Sequence, residues 1–126
     1  MAAGQVDIEV AAPPDAVWAK VGDFAGIGAM FPALEAVRLE GDDRVLTMLG
    51  MEIRERLVSR DEAARSLTYA IVDGVPVESH QATVSVVGSG DGSLVTWAVE
   101  ATPDEMLPVF TDTYANALKV LAESFD

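Results

Sequence analysis

Four polar side chains fall where the apolar periodicity of the sequence turns them toward the interior: Glu55, Tyr69 and His80 on predicted strands and Tyr114 on a predicted helix. A carboxyl group shielded from water has a raised pKa and a shielded imidazole stays neutral, so both suit proton transfer near neutral pH. A phenol beside them can donate a hydrogen bond to a ligand carbonyl or to a developing oxyanion. The set predicts cyclisation, dehydration or enolisation of a carbonyl compound, with His80, Glu55 and Tyr69 as candidate catalytic residues.

Each of these residues also has an ordinary structural explanation. Glu55 can pair with an arginine, and the two tyrosines can be core aromatics whose hydroxyl groups reach water. His80 is the only histidine, and it can lie half exposed at a strand end. Because an unpaired glutamate in a protein core is costly, the inward position of Glu55 is the sharpest test of the predicted arrangement.

Residue counts exclude several other chemistries. The chain has no cysteine and one histidine, which excludes a disulfide framework, a thiolate nucleophile and the usual zinc sites. The Gly/Ser segment at 88–93 lacks the lysine and the strand–helix setting of a phosphate loop. No serine has the motif context of a hydrolase nucleophile. We therefore expect neither a metal nor a cofactor.

Charge and length restrict the partners. The 126 residues carry eight Lys and Arg against 21 Asp and Glu, a formal charge of −13. This charge repels nucleic acid and anionic lipid, so we expect no nucleic-acid partner and no stable membrane insertion. The first residues lack the basic residue and apolar run of a signal peptide, which predicts a cytoplasmic location. One domain over 1–126 is expected, and monomer and homodimer both remain open.

The arginines are concentrated in one part of the chain. All six lie between positions 38 and 65, together with seven acidic residues. They are explained either as solvated faces of paired strands or as a cluster that receives an acidic ligand or partner.

Apolar periodicity predicts the elements that carry the candidate residues. A period of two predicts strands at 5–10, 35–40, 44–49, 51–59, 66–72, 77–88 and 94–102. The short connections between them favour an antiparallel meander. Two short helices are predicted after the first strand, at 16–21 and 24–30. Apolar residues spaced by three or four from 107 to 125 predict a long amphipathic helix, with Thr102 as its cap.

The apolar face of such a sheet and the apolar stripe of the long helix must bury each other. We therefore predict an α+β fold in which a curved, seven-stranded antiparallel sheet grips the C-terminal helix, with two short helices after the first strand. The candidate ligand-binding residues are the apolar and aromatic side chains that this arrangement turns inward. They are Phe24, Met30, Phe31, Met48, Met51, Trp97, Phe110, Tyr114 and Leu118.

Several stretches resemble the START-like helix-grip superfamily and, within it, the small bacterial SRPBCC proteins of the polyketide cyclase/dehydrase and lipid-transport kind. The resemblance is carried by IEVAAPPDAVW at 8–18, GDF at 22–24, FP at 31–32, GMEIRERL at 50–57, LTY at 67–69 and VTW at 95–97. It covers nearly the whole chain. It implies a cavity between the sheet and the C-terminal helix that opens toward the two short helices.

The resemblance implies a small hydrophobic or aromatic ligand more directly than it implies a reaction, because one fold hosts many activities. Its members include aromatase/cyclases, hydrolases, lipid and sterol carriers and hormone receptors. Three hypotheses follow: an enzyme of the cyclase/dehydratase kind, a non-catalytic carrier of a polyketide-, lipid- or isoprenoid-like molecule, and a protein-interaction module with a filled core.

Overall fold

The computed structural model of the protein describes residues 2–126. Their seven strands are β1 Ala2–Val10, β2 Ala36–Glu40, β3 Asp43–Met48, β4 Met51–Asp61, β5 Ser66–Asp73, β6 Ser79–Ser89 and β7 Gly92–Thr102. Their two α-helices are α1 Pro14–Val21 and α2 Leu107–Glu123. The strands form one antiparallel sheet in the order β1-β7-β6-β5-β4-β3-β2. The predicted α+β helix-grip fold is confirmed.

Helix α2 packs on one face of the sheet. Its buried side chains recur at intervals of three or four residues and form one apolar stripe. Strands β1 and β7 lie against the helix, and alternate residues of β6 extend the same apolar surface, since successive side chains of a strand point to opposite faces. The buried core includes Phe110, Tyr114, Leu118 and Leu121 from the helix and Val84, Val86, Val95, Trp97 and Val99 from the strands.

The segments flanking the helices differ from the sequence prediction. The second short helix is a single 3-10 turn at Ile27–Ala29, because Gly26 before it and Gly28 within it disfavour a longer helix. The N–H of Gly26 is bonded to the Asp23 carboxylate at 3.1 Å. A further 3-10 turn at Asp104–Met106 precedes α2, so Thr102 does not cap that helix.

Two details of the sheet position the interior polar groups. The β3–β4 hairpin turns through Leu49 and Gly50, which both have positive φ, and this turn sets Met48 opposite Met51. The same register places Arg44 opposite Glu55. Between β5 and β6 the ladder pairs residues 66–69 with 82–85 and does not continue toward the other end of β5.

The arginines are neutralised by acids of the same chain. On the outer face of the sheet, Asp43 accepts hydrogen bonds from Arg54 at 2.9 Å and from Arg56 at 2.8 Å. Arg38 bridges Glu40 and Glu52 at 2.6 and 2.7 Å. The other arginines pair with acids in the same way. The arginine-rich segment is therefore explained as paired strand faces rather than as a free cationic cluster.

Candidate functional site

A cavity of about 230 Å³ lies between the first half of α2 and strands β3 to β5. The segment around the 3-10 turn at Ile27–Ala29 closes a third side. Nearly all of its lining is apolar, with two phenols and one carboxyl group as the main polar exceptions. The lining residues are Ile27, Phe31, Leu34, Leu46, Met48, Ile53, Glu55, Tyr69, Ile71, Val75, Val109, Phe110, Thr113 and Tyr114.

Glu55 lines this cavity and is paired with Arg44. The Arg44 Nε donates to Glu55 Oε1 at 2.8 Å, and the two side chains are only 3% and 8% exposed. A second donor of Arg44, Nη1, bonds the carbonyl oxygen of Phe24 at 3.0 Å. Burial raises the pKa of Glu55, and the Arg44 charge offsets part of that effect. Glu55 therefore points inward, as the sequence predicts. It also has the arginine partner that was its alternative explanation.

Aromatic rings hold the Arg44 guanidinium in place. Its central carbon lies 3.9 Å from the centre of the Phe24 ring and 4.8 Å from that of Tyr69. Such cation–π contacts strengthen when the cation is removed from water. Glu55 therefore lines the cavity as one member of a fixed ion pair, while Arg44 lies outside the lining.

His80 lies behind the cavity and reaches it through Tyr114. The backbone N–H of Ile71, where the β5–β6 ladder has stopped, donates to His80 Nδ1 at 3.1 Å. The proton of the neutral ring is therefore on Nε2, which donates to the Tyr114 hydroxyl oxygen at 2.9 Å. Burial lowers the pKa of His80 to about 4, so the ring is neutral at physiological pH.

The two phenols lie side by side with Trp97. Its indole N–H donates to the Tyr69 hydroxyl oxygen at 3.1 Å. The Trp97 ring stacks on Tyr114 with the ring centres 4.3 Å apart and an interplanar angle of 4°. Burial raises the pKa of both tyrosines, so both keep their protons at physiological pH. Each phenol can therefore act as a hydrogen-bond donor.

Part of the residue set predicted from the sequence lines the cavity. Among the predicted catalytic residues, Glu55 and Tyr69 do so and His80 does not. Among the predicted ligand-binding residues, those in the lining are Phe31, Met48, Phe110 and Tyr114.

The remaining predicted ligand-binding residues have other surroundings. Trp97, Leu118 and Met30 are buried in the core, outside the cavity. Phe24 packs under the Arg44 guanidinium. Met51 is 59% exposed, because it is the first residue of β4 directly after the hairpin turn at Leu49 and Gly50. Periodicity predicts which side chains point into the core, but it does not predict which part of the core contains the cavity.

The sequence prediction missed Arg44 as a site residue. A two-residue turn at Leu49 and Gly50 fixes the hairpin register, and that register alone sets Arg44 beside Glu55. Within residues 2–126, no group of three or more His, Asp or Glu side chains is arranged to hold a metal ion. The same residues include no helix long and apolar enough to cross a membrane.

Comparison with known proteins identifies relatives. The family model described as "Polyketide cyclase / dehydrase and lipid transport" matches residues 1–125. XoxI from Bacillus cereus is 29% identical, with a TM-score of 0.92 over 99% of this chain and 96% of its own. A solution NMR structure from Thermobifida fusca is 34% identical, with a TM-score of 0.86 over 99% and 93%. None of the curated proteins matches the chain significantly.

Proposed function

The chain belongs to the polyketide cyclase/dehydrase and lipid transport family, and from that premise we propose that it binds a small apolar or aromatic molecule, polyketide-, lipid- or isoprenoid-like, between the sheet and α2. The observation that carries the proposal is the apolar cavity of about 230 Å³. Small-molecule sites are typically concave and apolar, with a few polar groups that orient the ligand. Glu55, Tyr69 and Tyr114 are such groups.

A filled core, as expected for a module that only binds other proteins, fits the interior less well. The apolar side chains of α2 and of strands β3 to β5 do not close on one another here, and they line a cavity of about 230 Å³. An apolar void forfeits packing contacts along its lining, which lowers stability unless a ligand occupies it. The cavity therefore favours a ligand-binding protein.

Native mass spectrometry tests the binding function. The protein is incubated with aromatic polyketides, sterols, fatty acids and isoprenoids, and bound mass is recorded. Ile71→Phe places a larger side chain in the cavity and is expected to abolish binding. Val72→Phe is the matched control, because Val72 is the next residue of β5 and lies on the exposed side. Equal loss in both variants, or no bound ligand in the wild type, would refute the proposal.

A second candidate function is enolisation or dehydration of a bound carbonyl compound. It is favoured by the position of Glu55, a carboxyl group with a raised pKa in the cavity wall beside a phenol donor. Glu55 is the proton acceptor in this scheme, and Tyr69 or Tyr114 stabilises the developing oxyanion. Both ring nitrogens of His80 are already engaged, so His80 acts as a positioning residue.

Isotope exchange separates the enzyme from the carrier. A bound ketone is incubated in D₂O, and deuterium at its α-carbon and loss of water are followed by NMR and mass spectrometry. An enzyme is expected to accelerate either process, and Glu55→Gln is expected to abolish the acceleration while the ketone still binds. Release of the ligand unchanged and unlabelled by the wild type would leave the carrier as the function.

A further inference from the structure

We propose that the inner end of the cavity is a hydrogen-bond-donor site that selects an uncharged carbonyl ligand, such as a ketone, over a carboxylate. This inference rests on the proposed function, since it names the class of ligand taken by the same cavity. It follows from the hydrogen bonds that the two phenols already accept at this end and from the ion pair beside them.

The phenolic oxygens already accept hydrogen bonds from buried N–H groups. Trp97 donates to the oxygen of Tyr69, and His80 donates to the oxygen of Tyr114. The direction of the second bond is fixed, because His80 Nδ1 accepts the N–H of Ile71 and leaves the ring proton on Nε2. The nitrogen atoms of Trp97 and His80 that contact the phenols are both donors. Neither can therefore accept a hydrogen bond from a phenolic O–H.

The two phenolic protons have too few acceptors inside the protein. The hydroxyl groups of Tyr69 and Tyr114 influence each other's pKa, and at most one of the two protons can take the other hydroxyl oxygen as its acceptor. Within residues 2–126, the other hydrogen bonds formed by these hydroxyls are those they receive. One O–H donor is thus left over, and both side chains line the cavity. A ligand acceptor would satisfy it, and a carbonyl oxygen has the right chemistry.

The charges at the same end disfavour an anionic ligand. Arg44 is the cation beside Glu55, and it is already paired with that carboxylate and bonded to the Phe24 carbonyl. A carboxylate would add a net negative charge beside Glu55, and the His80 imidazole behind the cavity is neutral and supplies no counter-charge. Uncompensated charge in an apolar interior is strongly unfavourable. A ketone requires only the donor.

A matched set of probes tests the ligand class: 1-tetralone, tetralin and tetralin-1-carboxylate, titrated by calorimetry near pH 7.5. The double variant Tyr69→Phe/Tyr114→Phe is expected to weaken 1-tetralone binding about threefold to tenfold, the effect of one neutral hydrogen bond. Binding of tetralin is expected to stay unchanged. The carboxylate is expected to bind more weakly than the ketone to the wild type. Thr111→Val, a hydroxyl deletion on α2 outside the lining, is the control.

Infrared spectroscopy of bound 1-tetralone gives a second readout, and its wild-type result does not depend on the variants folding normally. A hydrogen-bonded carbonyl absorbs at lower frequency than the same ketone in an apolar solvent. The wild type is expected to show this shift, and the double variant is expected to lose it. An unshifted carbonyl in the wild type would overturn the donor site.

The possible failures are distinguishable. If neither tetralin nor 1-tetralone binds the wild type, the proposed function itself is wrong. If both bind but the double variant leaves the ketone unaffected, or the carboxylate binds best, the cavity stands and the donor site is overturned.

Discussion

The Arg44–Glu55 ion pair offers the most demanding test of the site. Arg44→Met removes the hydrogen bond to Glu55 at 2.8 Å, the bond to the Phe24 carbonyl and both ring contacts. Glu55 then keeps a buried carboxyl group without its counter-charge. Removing one partner of a buried ion pair costs on the order of 3–5 kcal/mol of unfolding free energy. For a domain of this size we expect the melting temperature to fall by roughly 10–20 °C.

Urea unfolding of a double-mutant cycle measures this effect. Glu55→Leu in the Arg44→Met background is expected to recover most of the loss, since an apolar pair of similar volume needs no counter-charge. Arg38→Met is the surface control, because Arg38 also pairs with acids but is 50% exposed, and we expect little change there.

The deficit of Arg44→Met is expected to depend on pH. Burial holds the pKa of Glu55 above its usual value, and loss of Arg44 raises it further. The folded state then binds a proton more readily than the unfolded chain, so the deficit is largest near pH 8 and shrinks as the pH falls toward 4.5. A deficit below about 1 kcal/mol, or a double variant no more stable than the single one, would refute the buried pair.

Three further predictions concern stability, each measured by urea unfolding. His80 has a pKa of about 4 in the folded state, so only the unfolded chain gains its proton between pH 6.5 and 4.5. Over that range the free energy of unfolding of the wild type should therefore fall by roughly 2–3 kcal/mol more than that of His80→Gln. Equal losses would contradict this. Gly74→Ala should destabilise more than Gly41→Ala, because both glycines have positive φ but only at Gly74 would a Cβ clash with the β4 backbone. Asp43→Asn should lower the urea midpoint more than Asp42→Asn, since Asp43 accepts hydrogen bonds from two arginines; equal midpoints would contradict its role.

Periodicity was sufficient to predict the fold. Alternation in the strands and the three-to-four spacing of α2 depend only on which face of each element is buried, and that information is local in the sequence. The second short helix was not predictable to the same degree. Glycine at 26 and 28 weakened the helix pattern without showing that only one 3-10 turn at Ile27–Ala29 would form.

The site was partly predictable for a related reason. Strand alternation predicted that Glu55 and Tyr69 point inward. The hairpin turn at Gly50 fixes the register that sets Arg44 beside Glu55. The environment of His80 was not predictable, because it depends on where the β5–β6 ladder stops and leaves the Ile71 N–H free for the imidazole. That point depends on how two strands pair with each other, which the pattern of neither strand encodes.

Intermolecular NOEs in methyl-labelled protein test the central claim, that the cavity between the sheet and α2 is the ligand site. The ligand is 1-tetralone, and the reporters are the methyl groups of Ile53 and Ile71 in the cavity wall, with Leu39 and Val87 on the exposed surface for comparison. We expect NOEs from the ligand to both isoleucines and none to the surface methyls. NOEs confined to Leu39 or Val87 would contradict the account.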